Sequence, residues 1–412
     1  MPSQVIWLPA RFANLALVMA LTRLRSPGRD SVLVAYLFFV VMMAALLPTP
    51  LYAIYAHRLA LSPVTITAVY GIYVAGVLAT LLTLGRLSDH VGRRPVLAGA
   101  VVMAAIGALI FVASPSLPAL FAGRLACCIA VGLVTGSATA YLSELGRRGP
   151  GPDFSVVLAT VANLGGQAFG TVLSGVLAEY APSPLVLPYA AGLVLMLPVA
   201  LCRWLPETVA DRDGWRSGVR QQRLDVPAAI RAPFAAAAIA GFASFAFFGF
   251  VTALTDDILV SGLHESSHLI AGLVVAAMFA ASAAAQFAVG HFSVRRGSLA
   301  GLAALPVAAG CVVAAVVASS LPLLVLAAVA GGAGVGFAFR CGLAIVTRIA
   351  PERLRAQVAS TFYAVAYAGA VVPTVIAGLL TSVSGLFVAA LALAIFMVLL
   401  TSVSATIIGR TT

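Results

Sequence analysis

Twelve runs of 20 to 26 predominantly apolar residues, separated by short polar breaks, constrain this chain more than any other feature. They fall at about 33–55, 65–85, 95–114, 118–142, 154–179, 185–204, 233–256, 269–290, 299–319, 322–346, 357–380 and 385–408. A helix that crosses a bilayer needs roughly 20 apolar residues and satisfies its own backbone hydrogen bonds. Strands of a membrane barrel alternate apolar and polar residues, whereas these runs are apolar all round. Composition agrees. The chain is 62% apolar and 9% charged, against roughly 45–50% and 25% in a soluble domain. Its mean hydropathy is +1.09. The expected class is an all-α membrane protein with twelve transmembrane helices. An ordinary soluble enzyme, a disordered chain and a disulfide-stapled scaffold are excluded.

One longer polar stretch, 205–232, divides the runs six and six. The expected organisation is an N-terminal cytoplasmic or interfacial segment (1–32), a six-helix half (33–204), a central cytoplasmic loop (205–232) and a second six-helix half (233–412). In the N-terminal segment Arg11 interrupts the apolar run, and no small-residue cleavage site follows Ala20. That argues for a surface helix, or a start codon set too far upstream, over a signal peptide.

The net charge of +11 invites a nucleic-acid reading, but the placement of the charge opposes it. All 24 basic residues are arginine, and with both termini inside, 21 lie on the inner segments, Arg58 alone lies outside, and Arg124 and Arg340 lie within spans. This asymmetry puts both termini in the cytoplasm. The lysine-free, Gly- and Ala-rich usage suggests a GC-rich bacterial source, hence a bacterial inner membrane. The cysteines Cys127, Cys128, Cys202, Cys311 and Cys341 sit in or beside apolar runs without metal-knuckle spacing. They read as small core hydrophobes.

The halves repeat at an offset near 204 residues. Leu117-Pro118 opens span 4 and Leu321-Pro322 opens span 10, while Gly132 aligns with Gly336. The loop Gly85–Gly92 aligns with Gly290–Gly297, and Thr171-Val-Leu-Ser-Gly175 aligns with Thr374-Val-Ile-Ala-Gly378. Parallel six-span repeats are a transporter architecture with the substrate site at the repeat interface.

Residues 85–94 read Gly-Arg-Leu-Ser-Asp-His-Val-Gly-Arg-Arg. Gly85 permits close helix approach, and Asp89 lies within a helical turn of Arg93 and Arg94. The segment resembles the signature loop between spans 2 and 3 of the major facilitator superfamily, with His90 as the one departure. The resemblance implies the family fold and alternating access. It also implies a cytoplasmic conformational latch built from Gly85, Asp89, Gly92, Arg93 and Arg94. Without the resemblance the loop needs only its positive charge to fix orientation.

Within the superfamily the chain resembles the 12-span drug/proton antiporters of multidrug efflux. Their span 4 carries an early arginine followed by glycines at +4 and +8. Here Arg124 is followed by Cys128 and Gly132. Span 5 keeps the glycine spacing (Gly165, Gly166, Gly170, Gly175) but has Thr171 where those proteins carry proline. Span 1 has Pro48-Thr-Pro50. An arginine in lipid marks a pathway or a partner, unless it snorkels to the headgroups.

Polar residues inside spans are the candidate cavity lining: Asn163 and Gln167 in span 5, Arg340 in span 10, Tyr363 and Tyr367 in span 11. Arg340 could hold an anionic substrate group or pair with a carboxylate, and Asn163 and Gln167 could equally join helices. Tyr52 and Tyr55 read as an interfacial belt. No carboxylate lies mid-span. Asp256 and Asp257, at the outer end of span 7, are with Arg124 the candidates for proton coupling, since neighbouring carboxylates raise one another's affinity for a proton. As solvated loop acids they would carry none.

His264-Glu265-Ser-Ser-His268 matches the zinc pattern of metalloproteases, which needs one helix to present both histidines. It falls in a short outer connection with no third ligand at a fixed spacing, and is read as a loop. No metal, cofactor or nucleic-acid partner is expected. The expected function is proton-coupled efflux of a small amphipathic molecule by a monomeric secondary transporter. Uptake of a small organic acid or sugar is the runner-up, and an intramembrane metalloprotease the remote rival.

Overall fold

The computed structural model describes residues 26–149, 151–209 and 224–411. The expected surface helix before residue 26 and most of the central loop lie outside them. Among the described residues there is no strand, and twelve helical spans are long and apolar enough to cross a membrane. They are Gly28–Leu59, Pro63–Leu84, Arg93–Ala113, Leu117–Arg148, Pro152–Tyr180, Leu187–Trp204, Ala228–Gly262, His268–His291, Val294–Ala318, Leu321–Ile349, Glu352–Ser384 and Leu386–Gly409. The arginine-rich ends are termed inner and the opposite ends outer.

Local chemistry sets the ends. Spans 4 and 10 start at Leu117 and Leu321 with proline in the first turn, where its missing N–H costs nothing. Ser116, Ser267 and Ser293 cap spans 4, 8 and 9 through their hydroxyls. Span 1 is broken. Its first helix, Ser26–Leu46, stops before Pro48, and a 3-10 turn, Thr49–Leu51, leads to a second helix, Tyr52–Leu59. Prolines at 48 and 50 withhold two N–H groups from the ladder, so the break leaves carbonyls on one side and amides on the other. Span 5 carries a π-helical stretch at Val161–Gly165.

The chain forms two compact units. The first holds the inner helix of span 1, Ala79–Gly170 and the segment from Tyr180 through span 6. The second holds Pro48–Leu78, Thr171–Glu179 and the last six spans. Spans 1, 2 and 5 therefore pass from one unit to the other along their length. Within the first unit, span 4 packs on spans 1 and 3, and span 3 on span 6. Within the second, span 10 packs on spans 7, 8 and 9, and span 12 on spans 7 and 9. The packing of span 4 on spans 1 and 3 recurs in that of span 10 on spans 7 and 9, and the packing of span 6 on span 3 in that of span 12 on span 9.

Candidate functional site

The inner loop after span 2 organises a charge cluster inside the first unit. Arg93, 8% exposed, donates through Nη2 to Glu144 at 2.8 Å, through Nη1 to Ser88 Oγ at 2.7 Å, and through Nη1 also to Asp89. Thr208 Oγ1 donates to the same Glu144. The Glu207 carboxylate covers the start of span 3, accepting the backbone N–H of Arg93 at 2.9 Å and of Arg94 at 3.3 Å. A carboxylate on free first-turn amides is favourable on hydrogen-bond and dipole grounds. Gly92 is required there by its backbone, with φ at +116°; a Cβ would also push aside the Glu207 carboxylate, whose oxygen would lie 2.5 Å away. Gly85 meets span 4 closely: a Cβ on Gly136 would lie 3.3 Å from its carbonyl. Arg94 donates to the carbonyl of Arg203 at the end of span 6. The predicted loop residues are thus brought together. Glu207 and Thr208, which sequence reasoning passed over as loop, complete the cluster.

Arg124 is 1% exposed and does not snorkel. Its Nη1 donates at 2.7 Å to the carbonyl of Ala45, in the last turn of the helix that Pro48 ends. A cation there meets carbonyls that the break has left without ladder partners. Gln167 donates through Nε2 to Asn163 Oδ1 at 3.0 Å, Asn163 lying in the π-helical stretch of span 5 and Gln167 in the α-helix that follows it.

The second unit contains the outer ends of spans 1, 2 and 5 packed against spans 7, 8 and 11, and three contacts there share one device. Asp256 of span 7 accepts the backbone N–H of Ala53 at 3.0 Å, at the start of the outer helix of span 1. Glu179 of span 5 accepts that of His268 at 2.9 Å, at the start of span 8, and also the Ser267 hydroxyl. Ser382 of span 11 accepts that of Val64 at 3.1 Å, at the start of span 2. In each, an acceptor from one half covers a helix-start amide of the other. The last two are related by the duplication, at separations of 203 (179 to 382) and 204 (64 to 268).

The repeated span 5 and span 11 motifs lie in this seal. A Cβ on Gly175 would sit 2.6 Å from the carbonyl of His268, and one on Gly272 would strike the Thr171 carbonyl. Gly378, the counterpart of Gly175, lies against the side chain of Thr67 in span 2, where a Cβ would clash with its hydroxyl. The backbones of spans 5 and 8 therefore touch directly.

Asp256 is 8% exposed, not a solvated loop acid, and it lines a cavity of about 240 Å³ with Asp257, His57, Tyr52, Ile66 and Val260. Asp257 receives the Ser261 hydroxyl on one oxygen, while its buried second oxygen has no partner. Among the described residues neither aspartate forms an ion pair. Tyr52 and Tyr55 are each 1% exposed and so do not form an interfacial belt.

In the same unit Arg340 lies in the inner half of span 10 beside an aromatic cluster. Phe339 packs on Tyr363 (5.9 Å between centroids) and on Phe245 (5.2 Å), and Phe245 packs on Tyr367 (5.1 Å). The zinc reading fails geometrically. His264, with φ +57°, and Glu265 precede the helix that starts at His268, so no helix face presents both histidines. No metal-ligand cluster occurs among the described residues.

Comparison with known proteins agrees with this architecture. The profile of the Major Facilitator Superfamily matches residues 33–257. No curated relative matches the chain. Solved structures share the fold at low identity. A bacterial homologue of the human lysosomal transporter Spinster, in an inward-facing and unoccupied conformation, has 14% identity and a TM-score of 0.74, covering 93% of this chain and 97% of that one. The nucleoside transporter NupG has 14% identity and a TM-score of 0.69, with 93% and 99% covered. A POT family transporter in complex with 5-aminolevulinic acid has 13% identity and a TM-score of 0.73, with 94% and 96% covered. With twelve spans, a duplicated architecture and a family match over more than half of its 412 residues, the chain belongs to the major facilitator superfamily of membrane transporters.

Proposed function

We propose that this protein is a proton-coupled secondary transporter that exports a small amphipathic molecule from the cytoplasm of a bacterial cell by alternating access. The observation that carries the reading is Asp256, a buried carboxylate held on a helix-start amide of the other half, bordering a cavity and lacking a basic partner among the described residues. A cap of this kind is strongest for the anion. Protonating Asp256 removes the charge that the amide of Ala53 holds, so the outer ends part more readily. Ionised Asp256 favours the closed outer side, and protonated Asp256 the open one. Arg124, on the carbonyl side of the same helix break, is a positioning residue for span 1. Asp89, Arg93 and Arg94 govern switching at the inner side without touching substrate.

Purified protein in proteoliposomes with a trapped pH dye tests this. Amphipathic compounds offered one at a time should move protons in wild type. Asp256→Asn should abolish that movement while keeping substrate counterflow, and Arg124→Ala should weaken its dependence on the gradient. Flux with no pH change in wild type would contradict proton coupling. Uptake of a small organic acid is the second reading, favoured by Arg340, whose guanidinium pairs with no carboxylate among the described residues. The direction of flux in the same vesicles separates the two.

A further inference from the structure

Arg340 is the second arginine within a span, and its surroundings differ from those of Arg124. It is half-buried, and among the described residues it forms neither an ion pair nor a hydrogen bond. A cation in a membrane span is costly unless something neutralises or solvates it. Arg124 has the Ala45 carbonyl; Arg340 has no such acceptor. Phe339, the residue before it in span 10, packs on Tyr363 of span 11, and Tyr363 and Tyr367, four residues apart, share one face of that helix. Both hydroxyls lack hydrogen-bond partners among the described residues, and both tyrosines are half-buried. Three donors therefore lie on neighbouring stretches of spans 10 and 11 without an acceptor among the described residues. The walls beside them are the rings of Phe245 and Phe339.

We propose that Arg340, Tyr363 and Tyr367 form a binding subsite for the anionic group of a small organic anion, with Phe245 and Phe339 taking its flat apolar body. A guanidinium with two phenol donors matches a carboxylate, which only accepts hydrogen bonds. Aromatic walls match an apolar, planar remainder. The inference rests on the transport reading and names the charge of the transported molecule: an amphipathic anion, not an amphipathic cation.

Equilibrium binding tests it without requiring transport. Labelled benzoate, 2-naphthoate and hexanoate are offered to the full-length protein in nanodiscs, each against its uncharged amide, with benzylamine as the cation of matched shape. At least one carboxylate should bind roughly tenfold or more tighter than its amide, the range expected of charge-assisted hydrogen bonds. Arg340→Gln should remove that preference, Arg340→Lys should restore part of it, and Tyr367→Phe should weaken it several-fold. Should Arg340→Gln fail to fold, Arg340→Lys and Tyr367→Phe still report the preference.

If none of the carboxylates outcompetes its amide, or if Arg340→Gln keeps the preference, the subsite is wrong. Tighter binding of benzylamine would also overturn it. Because proton movement is not read here, loss of proton coupling in vesicles would leave this result standing, and the converse holds.

Discussion

At the inner end of the first unit, Arg93 gathers Asp89, Ser88 and Glu144 around a guanidinium, while Glu207 covers the start of span 3. At the outer ends in the second unit, Asp256, Glu179 and Ser382 each cover one helix-start amide, with no arginine at the contact. The inner cluster joins full opposite charges in a largely buried place. The outer contacts join acceptors to partial charges, and one acceptor is a hydroxyl. Buried pairs with added hydrogen bonds are costly to break, whereas caps contribute only about 0.5–2 kcal/mol each. The outer contacts are therefore the weaker of the two regions.

Five substitutions sharpen the comparison. Arg93→Ala strands the Glu144 carboxylate and should cost about 3–5 kcal/mol, seen as a large fall in the unfolding midpoint in detergent. A midpoint near that of wild type would remove the contrast between the regions. Gly272→Val pushes a branched side chain at the Thr171 carbonyl. It should cost about 1–3 kcal/mol and raise the labelling rate of outer-end cysteines.

Glu179→Ala and Ser382→Ala test the duplicated caps. Each should loosen the seal by about 1 kcal/mol or less, because Glu179 is exposed. Only the Glu179 effect should fade as salt is raised. Equal salt dependence of the two would show that charge is not what distinguishes them. Asp89→Asn should change stability least, by under about 1 kcal/mol, since that side chain is 47% exposed. It should nevertheless cripple transport at normal expression, and undiminished transport would sink the latch role.

Much of this was legible in the chain itself. Span positions followed from run length. Asp89 and Arg93 do meet, but across the break at Gly92 that ends one helix and starts the next, not along a single helical turn. The duplication put Gly175 and Gly378 in equivalent places, and the structure has both at close approaches to a neighbouring span, Gly175 to the backbone of span 8 and Gly378 to the Thr67 side chain of span 2. Partners distant in sequence were not legible. Glu207 reaches Arg93 across 114 residues, and nothing local marks a loop glutamate as a cap. Asp256 read equally well as a loop acid, because its burial depends on amides that the prolines of span 1 expose on another helix. The histidines of the zinc-like pattern could not be excluded by spacing alone. What separates them is the Ser267 cap, which starts the helix at His268.

The outer seal itself is the most direct place to test proton coupling. Ile66, 6% exposed and lining the Asp256 cavity, would be replaced by cysteine and labelled from outside with an impermeant maleimide across a range of external pH. Rates would be normalised to cysteine at Ser62, which is exposed, to remove the pH dependence of the thiol. The normalised rate should rise as external pH falls, and Asp256→Asn should hold it high at every pH. A rate indifferent both to pH and to Asp256→Asn would contradict a proton-controlled outer seal.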